Sequence, residues 1–147
     1  MIALISRGVA ITESVIATAE LARTFSEVLV PFIGMKAADA KEAAARAALE
    51  GGTDLILIED DVIVDRDTFV QAATSNITTV GEAFFPDGRS NVTRAADGRA
   101  ITAGTAFLYV PHAVLKAIDN AGYSFFQPYD FILTSEDRLM PHAKNHD

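Results

Sequence analysis

Three consecutive acidic residues, Glu59-Asp60-Asp61, are the strongest candidates for chemistry in this sequence. They follow the apolar run Leu55-Ile56-Leu57-Ile58, which lacks polar alternation and therefore predicts a strand buried on both faces. Ligands of open α/β sheets bind at the carboxyl ends of strands, so this position favours a binding site. Carboxylates crowded there repel one another, and a divalent cation shared with phosphate oxygens relieves that repulsion. A solvated acidic turn is the alternative.

The elements that must position these acids alternate between strand and helix. This alternation is typical of an α/β domain with a largely parallel sheet. The polar stretch 86–100 contains Asp87-Gly88 and Asp97-Gly98, which predict an exposed loop or small ribbon. No repeat or long linker divides the chain, so we expect a single domain spanning residues 1–147. We predict strands at residues 2–5, 28–33, 54–58, 77–85 and 106–110, helices at 12–23, 39–50 and 111–120, and a short helix capped by Asp65 or Asp67.

An alanine-rich helix should precede the acidic strand. Asp39 and Glu42 have the spacing of a capping box at its start. The pair Gly51-Gly52 is a typical stop signal at its end. The alanine side chains would allow this helix to lie close to the sheet.

The composition excludes several classes of protein. Half of the 147 residues are apolar, which is enough for one domain whose core does not need disulfides or a structural metal ion. The chain has no cysteine, which excludes a disulfide framework and thiolate metal sites. A protein without cysteine is compatible with the reducing environment of the cytoplasm. The net charge of −8 argues against stable nucleic-acid binding. No basic leader or membrane-spanning apolar run is present, so we expect a soluble, cytoplasmic protein.

The segment from Gly51 to Val64 resembles the central segment of glycosyltransferases with the GT-A fold. In that family an apolar strand ends in a short acidic motif, often followed by Val or Ile and then a helix. The resemblance implies a Rossmann-like three-layer sandwich and a metal-dependent transfer of sugar from a nucleotide-sugar donor to a hydroxyl acceptor. The chain is much shorter than typical members, so we expect an acceptor half that is truncated or supplied by a partner subunit. A homo-oligomer is possible.

The same resemblance implies roles for the acidic residues. Glu59 and Asp60 would contact the ribose or the sugar, and Asp61 would ligate Mn²⁺ or Mg²⁺ on the diphosphate. Glu stands where the first acid of the family motif is more usually Asp, which leaves the individual roles open.

Two glycine-containing segments extend the resemblance. Ile5-Ser6-Arg7-Gly8 is similar to the first-strand edge of small bacterial and phage members, where Arg7 would reach the nucleotide and the Gly8 backbone would approach it closely. Residues 101–110 are similar to a second family segment, in which Gly104 and Thr105 would border the donor sugar and the acceptor. A surface arginine and a plain glycine bend are the respective alternatives.

Near the end of the chain, Ser135-Glu136-Asp137 is similar to the family's late acidic motif and should begin a short helix. The resemblance implies that Asp137 is the general base, as in inverting enzymes, because the acceptor hydroxyl must lose its proton when it attacks the anomeric carbon. Glu136 would orient the acceptor. His142 or His146 would supply a further metal ligand, with His142 preferred because it is farther from the terminus. Acids that merely favour a helix N-terminus, and exposed histidines, are the alternatives.

Other functions fit the sequence less well. A non-catalytic nucleotide-binding module, or a degenerate member of the fold, would retain the site without turnover. A nucleotidyltransferase could use similar acids on a nucleoside triphosphate. A receiver domain needs an acidic pair after the first strand, and Ile5-Ser6-Arg7-Gly8 contains none.

Overall fold

The computed structural model describes residues 1–126 and the backbone of residues 129–133 and 139–143. The described residues form four helices and nine strands. The helices are α1 (Thr12–Thr24), α2 (Ala37–Glu50), α3 (Arg66–Ser75) and α4 (His112–Asn120). The strands are β1 (Ile2–Ser6), β2 (Leu29–Ile33), β3 (Leu55–Glu59), β4 (Thr79–Val80), β5 (Val92–Arg94), β6 (Ala100–Ala103), β7 (Phe107–Val110), β8 (Tyr129–Leu133) and β9 (Leu139–Ala143).

Five of these strands form one mixed sheet in the order β2-β1-β3-β7-β4. Strand β1 pairs in parallel with β2 and β3, whereas β7 pairs antiparallel with β3 and β4. The predicted α/β class is confirmed, but the sheet is mixed instead of largely parallel. The reason lies in the connection before β7, which contains the β5–β6 hairpin and no helix, so β7 pairs without a helical crossover.

Helices cover both faces of this sheet and bury a separate core on each. On one face, α2 and α4 pack against alternate residues of β1, β3 and β7. On the other face, α1 and α3 pack against the remaining residues of the same strands. The architecture is therefore three layers, with β1 and β3 buried on both sides as their apolar sequences predict.

Helix α2 begins earlier than the predicted capping box. Its N-cap is Lys36, without a side-chain cap, and Asp39 lies in the first turn. Glu42 has a different partner, because its Oε2 accepts hydrogen bonds from the backbone N–H groups of Phe125 (2.8 Å) and Phe126 (2.9 Å). The carboxylate therefore ties the segment after α4 to α2 instead of closing a capping box.

Other local signals agree with the structure more closely. Helix α2 ends at Glu50 with Gly51 as its C-cap, and Gly52 has a φ of 66°, which favours glycine. Asp65 caps α3 by accepting from the Thr68 N–H at 2.8 Å, a bond that holds the pKa of Asp65 below its ordinary value. Asp97-Gly98 lies in the turn between β5 and β6, so the predicted ribbon is present.

Two predictions about elements fare differently. The predicted strand at 77–85 is reduced to Thr79–Val80. The short helix predicted at Ser135 falls on residues 134–138, which lie outside the described residues. None of the helices in the described part of the chain is long and apolar enough to cross a membrane.

Candidate functional site

A crevice opens at the carboxyl ends of β1 and β3. The chain leaves β1 to form β2 on one side and returns to form β3 on the other side. Connections that diverge in this way leave a gap above the sheet, which is where open α/β proteins bind ligands. Arg7 and Gly8 follow β1, and Glu59-Asp60-Asp61 follow β3, so the sequence-predicted residues of both segments meet at this gap.

The backbone holds the two segments together at the crevice. The Asp60 N–H donates to the Ile5 carbonyl at 3.1 Å, and the Asp60 carbonyl accepts from the Ile11 N–H at 3.1 Å. Gly8 has a φ of 115°, which other residues rarely adopt, and its N–H donates to Ser6 Oγ at 3.0 Å. The turn after β1 therefore has a defined shape that depends on glycine.

The first cleft has a volume of about 250 Å³ and lies between these turns. Arg7 is exposed there and forms no ion pair with the described residues. The cleft thus presents a guanidinium on one side and carboxylates on the other. It is lined by Ile5, Arg7, Val9, Ala37, Glu59, Asp60 and Asp61.

Asp60 contributes a carboxylate oxygen that lacks a partner. Its Oδ2 is buried and accepts no hydrogen bond from the described residues. A buried polar atom without a hydrogen bond costs free energy, so an additional donor is expected.

Asp61 occupies the boundary between two clefts. Its side chain is exposed, and within residues 1–126 it has no hydrogen bond or ion pair. It lines both the first cleft and a larger second cleft of about 700 Å³. The described part of the chain contains no group of three or more His, Asp or Glu side chains that could hold a metal ion. The exposed carboxylate of Asp61 could offer oxygen ligands to an ion that a substrate shares.

The second cleft combines polar groups with exposed aromatic rings. It extends from the acidic turn to the segment before β5. Phe84 and Phe85 line it and are 71% and 52% exposed. Its lining comprises Ile11, Lys41, Glu59, Asp61, Val62, Ala83, Phe84, Phe85, Pro86, Asn91, Gly104, Thr105 and Ala106.

Gly104 and Thr105 reach the site because β7 is antiparallel to β3. The start of β7 therefore lies beside the end of β3, and the Glu59 N–H donates to the Ala106 carbonyl at 2.9 Å. Asn91 fixes the approach to this point, since its Nδ2 donates to the Gly104 carbonyl at 3.1 Å and its backbone carbonyl accepts from the Gly104 N–H. The predicted pair is thus brought to the acidic turn.

Lys41 is a site residue that the sequence analysis missed. Its Nζ lies 2.5 Å from Glu59 Oε1 and 2.6 Å from Thr105 Oγ1, and its side chain is only 11% exposed. The available signal was its position in α2, where Lys41 shares the buried face with Ala44, Ala45 and Ala48. A lysine on the buried face of a helix is rarely stable unless a carboxylate pairs with it, and Glu59 is the carboxylate that does so here.

Ser14 holds the acidic turn from behind. This fully buried side chain donates from Oγ to the Val62 carbonyl at 2.5 Å. The turn itself is closed by the Val62 N–H, which donates to the Glu59 carbonyl at 3.2 Å. Helix α1 therefore fixes the backbone on which Asp60 and Asp61 are carried.

The structure does not test the remaining predicted residues. Glu136, Asp137 and His146 lie outside the described residues. His142 belongs to β9, where it is in register with Asp130 of β8. Their proposed roles stay predictions.

Comparison with known proteins places the fold beside one solved structure. No protein-family model matches the sequence, and no curated protein is significantly similar to it. The fold is similar to that in the crystal structure of A197 from STIV, with a TM-score of 0.58 and 14% sequence identity. The similarity covers 98% of this chain and 94% of A197. At this level of identity, what the two proteins share is the fold.

Proposed function

We propose that this protein is a GT-A-type glycosyltransferase that moves a sugar from a nucleotide-sugar to a hydroxyl acceptor. The observation that carries the proposal is the convergence of three chain segments at the β1/β3 crevice. Arg7 comes from the first, the acidic turn from the second, and Thr105 from the third. A cation, several carboxylates and a hydroxyl could together contact the phosphates, through a bound metal ion where needed, and the hydroxyls of a nucleotide-sugar.

The first cleft is suited to the nucleoside end of the donor. Ile5, Val9 and Ala37 give it apolar walls, and Arg7 can stack on a base or contact a phosphate. Asp60 also lines the first cleft, where its carboxylate could accept a hydrogen bond from a ribose hydroxyl.

The residues fit a metal ion that is shared with the substrate. Mg²⁺ and Mn²⁺ are commonly bound by one or two protein carboxylates together with substrate phosphates. Asp61 is exposed between the two clefts, where a diphosphate that joins nucleoside to sugar must pass. When bound there, the ion would neutralise negative charge on the departing diphosphate.

The proposed reaction is a displacement at the anomeric carbon. The acceptor oxygen forms a bond to that carbon while the bond from the carbon to the diphosphate oxygen breaks. The nucleoside diphosphate leaves, and the hydroxyl proton passes to a base, a role we propose for Asp137 with Glu136 orienting the acceptor. His142 is proposed as a further metal ligand. The buried ends of β1 and β3 provide a rigid platform that orients the donor.

A nucleotide-binding module without turnover is the second candidate. It is favoured by the absence of a preformed group of metal ligands in the part of the chain that the structure describes. Such a module would bind a nucleotide in the first cleft but would not transfer or hydrolyse the sugar.

The test combines binding with turnover. Thermal shift against UDP, GDP, dTDP and their sugar conjugates, each with Mn²⁺ or with chelator, should identify one nucleotide that stabilises the protein only with metal. Donor hydrolysis by the wild type should then fall roughly 10²-fold or more in Asp61→Asn. Asp67→Asn is the matched control, because Asp67 is exposed in the first turn of α3 and lines neither cleft.

Each outcome has a definite meaning. Binding without hydrolysis or transfer would favour the module. Activity of Asp61→Asn near that of Asp67→Asn would rule out Asp61 as the metal ligand. If no nucleotide stabilises the wild type with or without metal, the proposed function is wrong.

A further inference from the structure

We infer that Lys41 is a positioning residue that turns Glu59 and Thr105 into a hydrogen-bond acceptor and donor for adjacent hydroxyls of an uncharged donor sugar. This inference rests on the proposed function and specifies the substrate class that the second cleft accepts.

Lys41 determines the direction of both hydrogen bonds. An ammonium group only donates, so Glu59 Oε1 and Thr105 Oγ1 must both accept from Lys41 Nζ. Thr105 therefore cannot use its own proton toward Lys41, and this proton has no acceptor among the described residues. The hydroxyl is left as a donor toward a ligand in the second cleft.

Glu59 provides the complementary group. Lys41 engages Oε1, and within residues 1–126 no donor occupies Oε2. The distances from Nζ, 2.5 and 2.6 Å, keep Glu59 Oε1 and Thr105 Oγ1 within about 5 Å of each other. The free oxygen Oε2 belongs to the same carboxylate and therefore stays near Thr105 Oγ1 as well, so this acceptor and this donor could each bind one of two neighbouring hydroxyls on a sugar ring.

The charges select an uncharged sugar. The Lys41 ammonium is already paired with Glu59, and Lys41 is only 9% exposed, so it is not free to neutralise an anionic ligand. Among the described residues that line the second cleft, Lys41 is the only Lys or Arg, so no second cation is present for an anionic sugar. A sugar carboxylate would be repelled there, whereas neutral hydroxyls meet both an acceptor and a donor.

The aromatic side chains of the same cleft agree with this ligand. Phe84 and Phe85 expose 71% and 52% of their surfaces along the second cleft. The C–H face of a sugar ring is apolar and can cover such rings, while its hydroxyls point to Lys41's two partners. Without a ligand, the rings of Phe84 and Phe85 expose apolar surface to water, which is unfavourable.

The test measures binding of a nucleotide-sugar and of its free nucleoside diphosphate, with Mn²⁺, by calorimetry. The probes are UDP, GDP and dTDP with their glucose conjugates, and UDP-glucuronate as the anionic sugar. In Thr105→Val, which replaces the hydroxyl with a methyl group, affinity for the glucose conjugate should fall about 3- to 10-fold while that for the diphosphate stays within about twofold. The glucuronate should bind the wild type more weakly than the glucose conjugate.

Two controls separate positioning from structure. Thr105→Ser keeps the hydroxyl and should retain the wild-type preference for the sugar conjugate. Thr102→Val makes the same change on the exposed face of β6, outside both clefts, and should leave both affinities unchanged. Thermal melts of all three variants verify that they are folded.

The outcomes distinguish this inference from the proposed function. If the wild type binds a nucleotide but Thr105→Val weakens sugar and diphosphate equally, or neither, the inference is overturned and the function stands. Tighter binding of the glucuronate also overturns it. If the wild type binds no nucleotide, the proposed function fails, and the inference that rests on it fails with it.

Discussion

Replacing Lys41 with Met should destabilise the protein even in the absence of any ligand. Met has a similar length but no charge, so the substitution removes the only described partner of the Glu59 carboxylate and leaves that carboxylate beside the buried end of β3. Thr105 loses its donor at the same time. The folded variant then contains a Glu59 carboxylate whose negative charge Lys41 no longer compensates.

The magnitude follows from the burial of the two side chains. Removing one partner of a fully buried ion pair costs about 3–5 kcal/mol. Glu59 is 31% exposed, against 11% for Lys41, so water screens part of the remaining charge. We therefore expect a loss of about 2–3 kcal/mol in the free energy of unfolding, or roughly 4–12 °C in Tm for a domain of this size.

The assay is urea unfolding followed by circular dichroism at pH 7, because the sequence contains no tryptophan for fluorescence. A double-mutant cycle with Glu59→Gln should give a coupling energy of about 1–3 kcal/mol, since the double variant no longer contains an uncompensated charge. Lys116→Met is the control, because Lys116 is an exposed lysine on α4 and its loss should change stability by less than about 0.5 kcal/mol. Additive single substitutions, or a Lys41→Met variant as stable as the Lys116→Met control, would refute the claim that Lys41 and Glu59 stabilise each other.

Two further predictions concern the core around the site. Burial and the hydrogen bond to Asp54 raise the pKa of Tyr109 to about 12, so the unfolded chain releases this proton near its ordinary pKa while the folded protein retains it. The associated stability, on the order of 2 kcal/mol, is fully present below about pH 10 and is lost as the pH rises toward 12, and melts of Tyr109→Phe should lack this part of the alkaline decline. Gly81→Ala should lower stability by about 1–3 kcal/mol, because a Cβ there would lie 2.6 Å from Cδ1 of the buried Phe107 ring. An unchanged Tm for Gly81→Ala, or parallel alkaline melting curves for wild type and Tyr109→Phe, would contradict these two predictions respectively.

The parts of the fold that could be predicted are those with strong local patterns. The apolar runs of β1 and β3 have no polar alternation, and both are buried on two faces. The turn at Asp97-Gly98 was evident because few other residue pairs favour a hairpin turn as strongly. In each case the residues themselves carry the conformational preference.

The strand prediction failed for a segment whose apolar side chains are exposed at the surface. Residues 77–85 are rich enough in apolar side chains to predict a long strand, yet Ile77 is 65% exposed and Phe84 is 71% exposed. Hydrophobicity alone cannot distinguish a buried strand from a segment that presents its rings to a cleft. Glu42 misled in a similar way, since its spacing from Asp39 predicted a cap whereas its partners are the N–H groups of Phe125 and Phe126.

The sequence alone determined the alternation of strands and helices and the position of Glu59-Asp60-Asp61 at the end of a buried strand. Local periodicity is sufficient for this, because burial on two faces demands an uninterrupted apolar run. Only the tertiary structure decided which residues stand beside that turn. Lys41 is 18 positions from Glu59 and 64 positions from Thr105 in the sequence. Thr105 reaches the other two residues because β7 runs antiparallel to β3 and so begins where β3 ends. Strand order and direction arise from how the helices and the hairpin pack together, which no local pattern of residues records.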